Sequence, residues 1–66
     1  MDTDEIQRRI DAIRGAAGDD ERAHCLEDDL HQDVLRAIAA GNCENPKECA
    51  AAALRTLGLN FSRWCA

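Results

Sequence analysis

The residues that could do chemistry are concentrated between positions 18 and 34. This segment of seventeen residues holds two histidines, one cysteine and seven carboxylates. On a helix, His24, Asp28 and His31 share one side, which Glu27 borders. Because zinc favours imidazole, thiolate and carboxylate ligands, one interpretation is a small metal-binding protein. Two histidines seven residues apart span about 10 Å of helix rise, too far for both to reach one ion comfortably, so a structural role ranks first.

The chain is too short to enclose an active site around these residues. It has 66 residues, enough for a single domain over 1–66, and a chain of this size buries only about 60% of the surface that it exposes when unfolded. Neither a nucleophile nor a pocket is evident beside His24 and Glu27. We therefore predict that the protein is not an enzyme and uses no cofactor.

Three helices are predicted to position the chemistry-bearing residues, because apolar residues recur at helical spacing. Their expected bounds are about 3–17, 20–40 and 46–57, followed by a C-terminal tail over 59–66. Each helix has a capping residue and a glycine stop: Asp2 and Gly18, Asp19 or Asp20 and Gly41, Asn45 and Gly58. The expected fold is all-α, a three-helix bundle with a docked C-terminal tail. The large apolar side chains available for its core are Ile6, Ile10, Ile13, Leu26, Leu30, Val34, Leu35, Ile38, Leu54, Leu57, Leu59, Phe61 and Trp64.

Glu27 is the one carboxylate that a helical wheel places within the apolar sector of the second helix. A carboxylate there is costly unless it is paired or hydrogen-bonded. His24 lies one turn earlier, and Arg63 lies on the tail that is expected to dock against this helix. We predict a contact of Glu27 with either Arg63 or His24 that pins the tail, with Trp64 packing nearby.

The four cysteines show no metal-site or thioredoxin-like spacing. Cys43 and Cys49 flank the start of the third helix, where their β-carbons could come within range of a disulfide. The alternative is that Cys49 is a small buried hydrophobe. The wheel places Cys25 on the polar face of the second helix, and Cys65 is either buried beneath the tail or free.

The net charge of −5 comes from the second helix, since residues 19–33 alone carry −6. Such a surface repels phosphate backbones, so direct binding to nucleic acid or to an anionic membrane is disfavoured, whereas a basic protein partner is compatible with it. The sequence has neither a transmembrane run nor an export signal. We expect a cytoplasmic protein with reduced thiols.

Two motifs carry a resemblance, D-D-E-x-A-H-x-x-E-D over residues 19–28 and F-x-R-W-C-A over residues 61–66. With them the chain resembles a family of small uncharacterised proteins of bacterial and phage or prophage genomes. The resemblance implies a short all-helical accessory protein in a bacterial host. It implies no activity, cofactor or catalytic residue.

The leading hypothesis is a non-catalytic interaction protein that docks a helical surface onto a protein partner or onto itself. A homodimer is expected because a core of this size is marginal and because Ala51, Ala52 and Arg55 form an alanine-rich face able to accept another helix. The alternatives are the metal-binding protein described above and an acidic mimic of DNA that inhibits a nucleic-acid-binding protein.

Overall fold

The computed structural model describes residues 1–63, and these residues form three α-helices and one short 3₁₀ turn. Helix α1 spans Thr3–Gly15, α2 spans Asp20–Ala39, and α3 spans Pro46–Leu54. The 3₁₀ turn Arg55–Gly58 extends α3, and no strand occurs in this part of the chain. Each helix packs against the other two. The predicted all-α three-helix arrangement is therefore confirmed.

Local capping explains where the helices begin. The Asp2, Asp19 and Asn45 side chains accept hydrogen bonds from the backbone N–H three residues later, at Glu5, Arg22 and Glu48. Each cap satisfies one of the backbone donors that a helix start leaves without a partner in the helix. Pro46 stands at the first position of α3, where its missing N–H costs nothing.

The helix ends lie earlier than the sequence predicts. Helix α1 ends at Gly15 rather than near residue 17, because the Ala16 N–H already reaches the carbonyls of Ala12 and Ile13 in a tightened last turn. Helix α3 ends at Leu54, and the residues up to Gly58 continue as the 3₁₀ turn. Gly41 follows α2 with φ of 74°, a left-handed conformation suited to glycine.

The core is built from one side of each helix and from Phe61 of the tail. Among residues 1–63 the buried apolar side chains are those of Ile6, Ile10, Ile13, Ala23, Leu30, Val34, Cys49, Ala52, Ala53 and Phe61. Small residues on α3 allow this helix to lie close to α1 and α2. Of the tail predicted over 59–66, the described part folds back over the helices; Trp64 and Cys65 lie outside the described residues.

Three leucines expected in the core are instead exposed. Leu35, Leu54 and Leu57 keep 66%, 59% and 58% of their surfaces accessible. The expected docking face also differs, because Ala52 is buried in the core whereas Ala51 and Arg55 are exposed. The sequence counted these leucines as core candidates by residue type alone, but three short helices cannot cover every apolar side chain that they carry.

No helix within residues 1–63 is both long enough and apolar enough to cross a membrane.

Candidate functional site

Glu27 is buried within α2, with 3% of its surface accessible, and it is paired with Arg63 of the tail. Arg63 donates from Nε to Glu27 Oε1 at 2.8 Å and from Nη2 to Glu27 Oε2 at 3.0 Å. Two parallel N–H bonds to one carboxylate are the strongest geometry open to such a pair. Of the two contacts that the sequence predicts for Glu27, the structure shows the one with Arg63.

The guanidinium of Arg63 also organises the backbone that leads to it. Nη2 donates to the Thr56 carbonyl at 2.6 Å and to the Leu59 carbonyl at 3.3 Å, and Nη1 donates to the Phe61 carbonyl at 3.3 Å. The guanidinium carbon lies 4.1 Å from the centre of the Phe61 ring, a cation–π distance. One side chain thus ties the end of the 3₁₀ turn and the tail to the buried carboxylate of α2.

Thr56 and His31 extend this cluster to α3. Thr56 is fully buried, and its hydroxyl contacts the Ala53 carbonyl at 3.1 Å as well as the Glu27 carboxylate. His31 Nε2 lies 2.9 Å from Thr56 Oγ1 and 3.2 Å from the Ala53 carbonyl. Because a carbonyl oxygen only accepts, Nε2 must carry the hydrogen and donate it to α3. Glu27, His31, Thr56 and Arg63 therefore form one polar cluster that joins α2, α3 and the tail.

The pKa of Glu27 reflects two opposing effects. Burial raises the pKa of this carboxyl, but the hydrogen bonds from Arg63 and Thr56, together with the charges of Arg63 and His31, outweigh burial and lower the pKa below its ordinary value of 4.5. Glu27 is therefore an ionised carboxylate that binds Arg63, and it is not a protonated acid that could donate a proton.

A second ion pair joins α1 to α2 at the surface. Arg9 Nη1 donates to Asp33 Oδ2 at 2.8 Å, and the two side chains keep 31% and 41% of their surfaces accessible. The hydrogen bond from Arg9 is the main cause of the lowered pKa of Asp33. Exposed pairs of this kind contribute little to stability.

The alternative metal-binding residues His24, Asp28 and His31 are not brought together. His24 Nε2 lies 3.2 Å from Asp28 Oδ2, whereas the ring of His31 is directed at α3. Among residues 1–63, no three His, Cys, Asp or Glu side chains are grouped so as to hold a metal ion. His24 Nδ1 is buried and finds no hydrogen-bond partner within the described chain, so the Nε2–H tautomer satisfies the contact with Asp28. His24 pairs with Asp28, and the predicted contact between His24 and Glu27 is not formed.

The polar cluster has the chemistry of a structural contact and not that of an active site. Its one hydroxyl, on Thr56, is fully buried, and its carboxylate is already saturated by Arg63. A nucleophile or general base must instead reach a substrate within hydrogen-bonding distance. The cluster therefore holds the tail and α3 on α2. Trp64, which the sequence places in this unit, lies outside the described residues.

The cysteines of the described chain are free thiols, so the disulfide suggested between Cys43 and Cys49 is not formed. A hydrogen bond with Cys49, followed by burial, raises the pKa of Cys43. Cys49 is fully buried and Cys43 is half-buried against the core. Cys25 is exposed on α2, as the wheel predicts.

An apolar groove between α2 and α3 is the other distinctive surface. Its volume is about 320 Å³, and it is lined by His31, Val34, Leu35, Ile38, Ala50, Ala53 and Leu54. Leu57 lies three residues after Leu54 in the 3₁₀ turn, where residues three apart share one side. We call the surface formed by Leu35 and Leu54 at this groove, together with the exposed Leu57 that follows, the leucine face.

Sequence reasoning missed Thr56 and the inward role of His31. A signal for Thr56 was present, since Cys49, Ala52, Ala53 and Thr56 follow the spacing of a buried helical stripe. A threonine in such a stripe needs a hydrogen-bond partner. Nothing in the spacing of α2 alone indicates that His31 is that partner, because the contact crosses between helices.

Comparison of the chain with protein-family models, with curated protein sequences and with solved structures found no match.

Proposed function

We propose that this protein is a non-catalytic helical interaction protein that binds a protein partner, either a second copy of itself or another protein, through the leucine face. The observation that carries the proposal is the exposure of Leu35, Leu54 and Leu57, each more than half accessible. Leu35 and Leu54 line the α2–α3 groove, and Leu57 follows Leu54 by one turn of the chain.

Covering the leucine face with a partner is energetically favourable. Burying a leucine side chain completely stabilises a protein by about 1.5–3 kcal/mol. Single exposed leucines are ordinary, but a cluster beside a groove is typical of an interaction site. A groove between two helices accepts the apolar side of a third helix, as in other helix-in-groove complexes.

The polar cluster supports this function indirectly. It fixes α3 against α2, because His31 donates across the gap between the two helices and Arg63 ties the following turn to Glu27. Because these contacts hold α2 and α3 together, the groove between them is preorganised, and this lowers the free-energy cost of binding.

The charge distribution favours one class of protein partner. Residues 19–33 carry a net charge of −6, and they include the N-terminal half of the helix that forms one wall of the groove. A partner with basic residues beside its apolar side is favoured, and nucleic acid is disfavoured. In keeping with the resemblance to small bacterial and phage proteins, we assign the protein an accessory role in the cytoplasm of a bacterial host.

The test places a photo-crosslinking residue at Leu35 and, as a control, at Ala12 on the exposed side of α1. After irradiation in the bacterial host, mass spectrometry identifies the crosslinked species. We expect Leu35, and not Ala12, to crosslink to one defined protein or to a second copy. Equal yields at both positions, or none at either, would contradict the proposal.

A second measurement separates the two kinds of partner. Sedimentation velocity of the purified protein detects self-association, and we expect the double variant Leu35→Gln/Leu54→Gln to sediment as a monomer. The matched control Ala12→Gln keeps the wild-type behaviour. A wild-type monomer at high concentration, together with a crosslink at Leu35, assigns the leucine face to another protein.

A further inference from the structure

We propose that Cys43 and Cys49 form a reversible dithiol–disulfide pair, oxidised by low-molecular-mass disulfides such as glutathione disulfide, that locks the α2–α3 connection onto the first turns of α3. The proposal is independent of the function assigned to the leucine face. It concerns a covalent modification site within one chain.

The position of the two residues at the helix start carries the first step. Asn45 is the N-cap of α3, so Cys43 lies two residues before the cap and Cys49 is the fourth residue of the helix. At a capped helix start the incoming chain folds back over the first turn, which brings the residue just before the cap, here Glu44, towards the fourth helical position, with Cys43 next to it in the chain. The cap bond from Glu48 N–H to Asn45 Oδ1, 3.3 Å long, holds this reversal in place.

The surroundings of the two thiols carry the second step. Cys49 is fully buried, and Cys43 is half-buried and packs against the core cluster that contains Cys49. Cys49 Sγ also donates to the Met1 carbonyl at 3.8 Å, and the Glu44 N–H donates to the same carbonyl at 3.1 Å. Cys49 Sγ and the residue that follows Cys43 are thus held at one carbonyl before any oxidant arrives, which favours closure within the chain over pairing between chains.

The different exposure of the two thiols assigns their order of reaction. Cys43 is the accessible member, so its thiolate attacks a sulfur of glutathione disulfide. A bond forms between Cys43 Sγ and one glutathione sulfur, and the other glutathione leaves as a thiolate that takes up the proton lost by Cys43. Cys49 Sγ then attacks Cys43 Sγ, the mixed disulfide breaks, and the second glutathione leaves with the proton of Cys49. Two electrons pass from the protein to glutathione, and two glutathione thiols are produced.

The same environment makes the exchange slow at neutral pH. Thiol–disulfide exchange requires the thiolate, and the pKa of Cys43 is raised, chiefly by its hydrogen bond with Cys49 and by burial. The equilibrium must therefore be approached over hours and from both directions.

The experiment uses the full chain with Cys25→Ser and Cys65→Ser, so that only the pair remains. The protein is equilibrated at pH 8 in buffers of reduced and oxidised glutathione and quenched with an alkylating reagent. Its intact mass is then measured by mass spectrometry. We expect a two-state transition from a doubly alkylated species to an unalkylated species about 2 Da lighter than the dithiol. We expect the oxidised form to melt roughly 5–10 °C higher, because the disulfide restricts the unfolded chain.

Two variants distinguish formation of the Cys43–Cys49 disulfide from the addition of glutathione to Cys43 alone. With Cys49→Ser we expect the glutathione adduct at Cys43 to accumulate, because no second thiol displaces it; with Cys43→Ser we expect neither closure nor a rapidly formed adduct. The proposal is overturned if the pair remains doubly alkylated at every glutathione ratio, or if the adduct accumulates without closure. Disulfide-linked dimers formed from the pair would overturn it as well.

Discussion

Arg63 binds Glu27 by two parallel hydrogen bonds of 2.8 and 3.0 Å across 36 residues of chain, and the carboxylate that it meets is almost completely buried. The pair is asymmetric, because the Arg63 side chain keeps 29% of its surface accessible whereas the Glu27 side chain keeps 4%. Removing one partner therefore has a different consequence from removing the other.

Replacing Arg63 by alanine should be the more damaging change. It leaves the Glu27 carboxylate buried without its main partner, and breaking a buried pair in this way costs about 3–5 kcal/mol of unfolding free energy. Glu27→Gln keeps the shape and one acceptor, and it leaves an arginine that still reaches water, so we expect a smaller loss of about 1–3 kcal/mol. Urea denaturation followed by circular dichroism measures both.

The control for this comparison is Arg55→Ala, since Arg55 is exposed in the 3₁₀ turn. We expect that variant to lie within about 0.5 kcal/mol of the wild type. Equal losses for Arg63→Ala and Arg55→Ala would show that the two-point contact with Glu27 does not stabilise the tail.

Stability should fall in acid because of the same carboxylate. The pKa of Glu27 is lowered in the folded protein, so its contribution is fully present above the ordinary value of 4.5 and is lost as the pH falls through the folded value. Asp33, whose pKa is lowered by the hydrogen bond from Arg9, contributes in the same direction. We expect the urea midpoint to decline steadily below about pH 5.

Two neutral variants separate these contributions to the acid dependence. Glu27→Gln and Asp33→Asn should each make the decline of stability between pH 5 and pH 3 shallower, and the double variant shallower still. A Glu27→Gln profile parallel to that of the wild type would mean that Arg63 does not depress the pKa of Glu27.

The hydroxyl of Thr56 should be needed, and not merely its volume. Thr56→Val fills the same space but removes the donor to the Ala53 carbonyl and the partner of His31 Nε2, so we expect a loss of about 1–3 kcal/mol. Thr56→Ser keeps the hydroxyl and serves as the matched variant. A valine variant as stable as the wild type would contradict a hydrogen-bonding role for Thr56.

The exposed leucines should contribute little to the stability of the single chain. We expect Leu35→Gln and Leu54→Gln to change the unfolding free energy of the dilute protein by less than about 1 kcal/mol. Leu30→Ala, at a fully buried position, should cost about 2–5 kcal/mol. Thermal denaturation at several concentrations makes the comparison, and a large loss for the Leu35 variant would place that side chain in the core.

The sequence by itself determined the local architecture. Asp2, Asp19 and Asn45 cap their helices because a short polar side chain can accept a hydrogen bond from the backbone three residues later, an interaction that needs no distant partner. The burial of Glu27 was predictable for a similar reason, because helical periodicity assigns each residue to a face. The need for a cationic partner followed from the cost of burying a charge.

Only the tertiary structure decided which side chains meet across helices and which are left uncovered. The choice of Arg63 over His24 as partner of Glu27, and the pairing of His31 with Thr56, depend on how the tail and α3 lie on α2. The exposure of Leu35 and Leu54 depends on the same packing, since periodicity ranks faces by composition but does not count the neighbours available to cover them. Three short helices and a tail bury one small core, and the apolar groups beyond its capacity form the surface on which the proposed function depends.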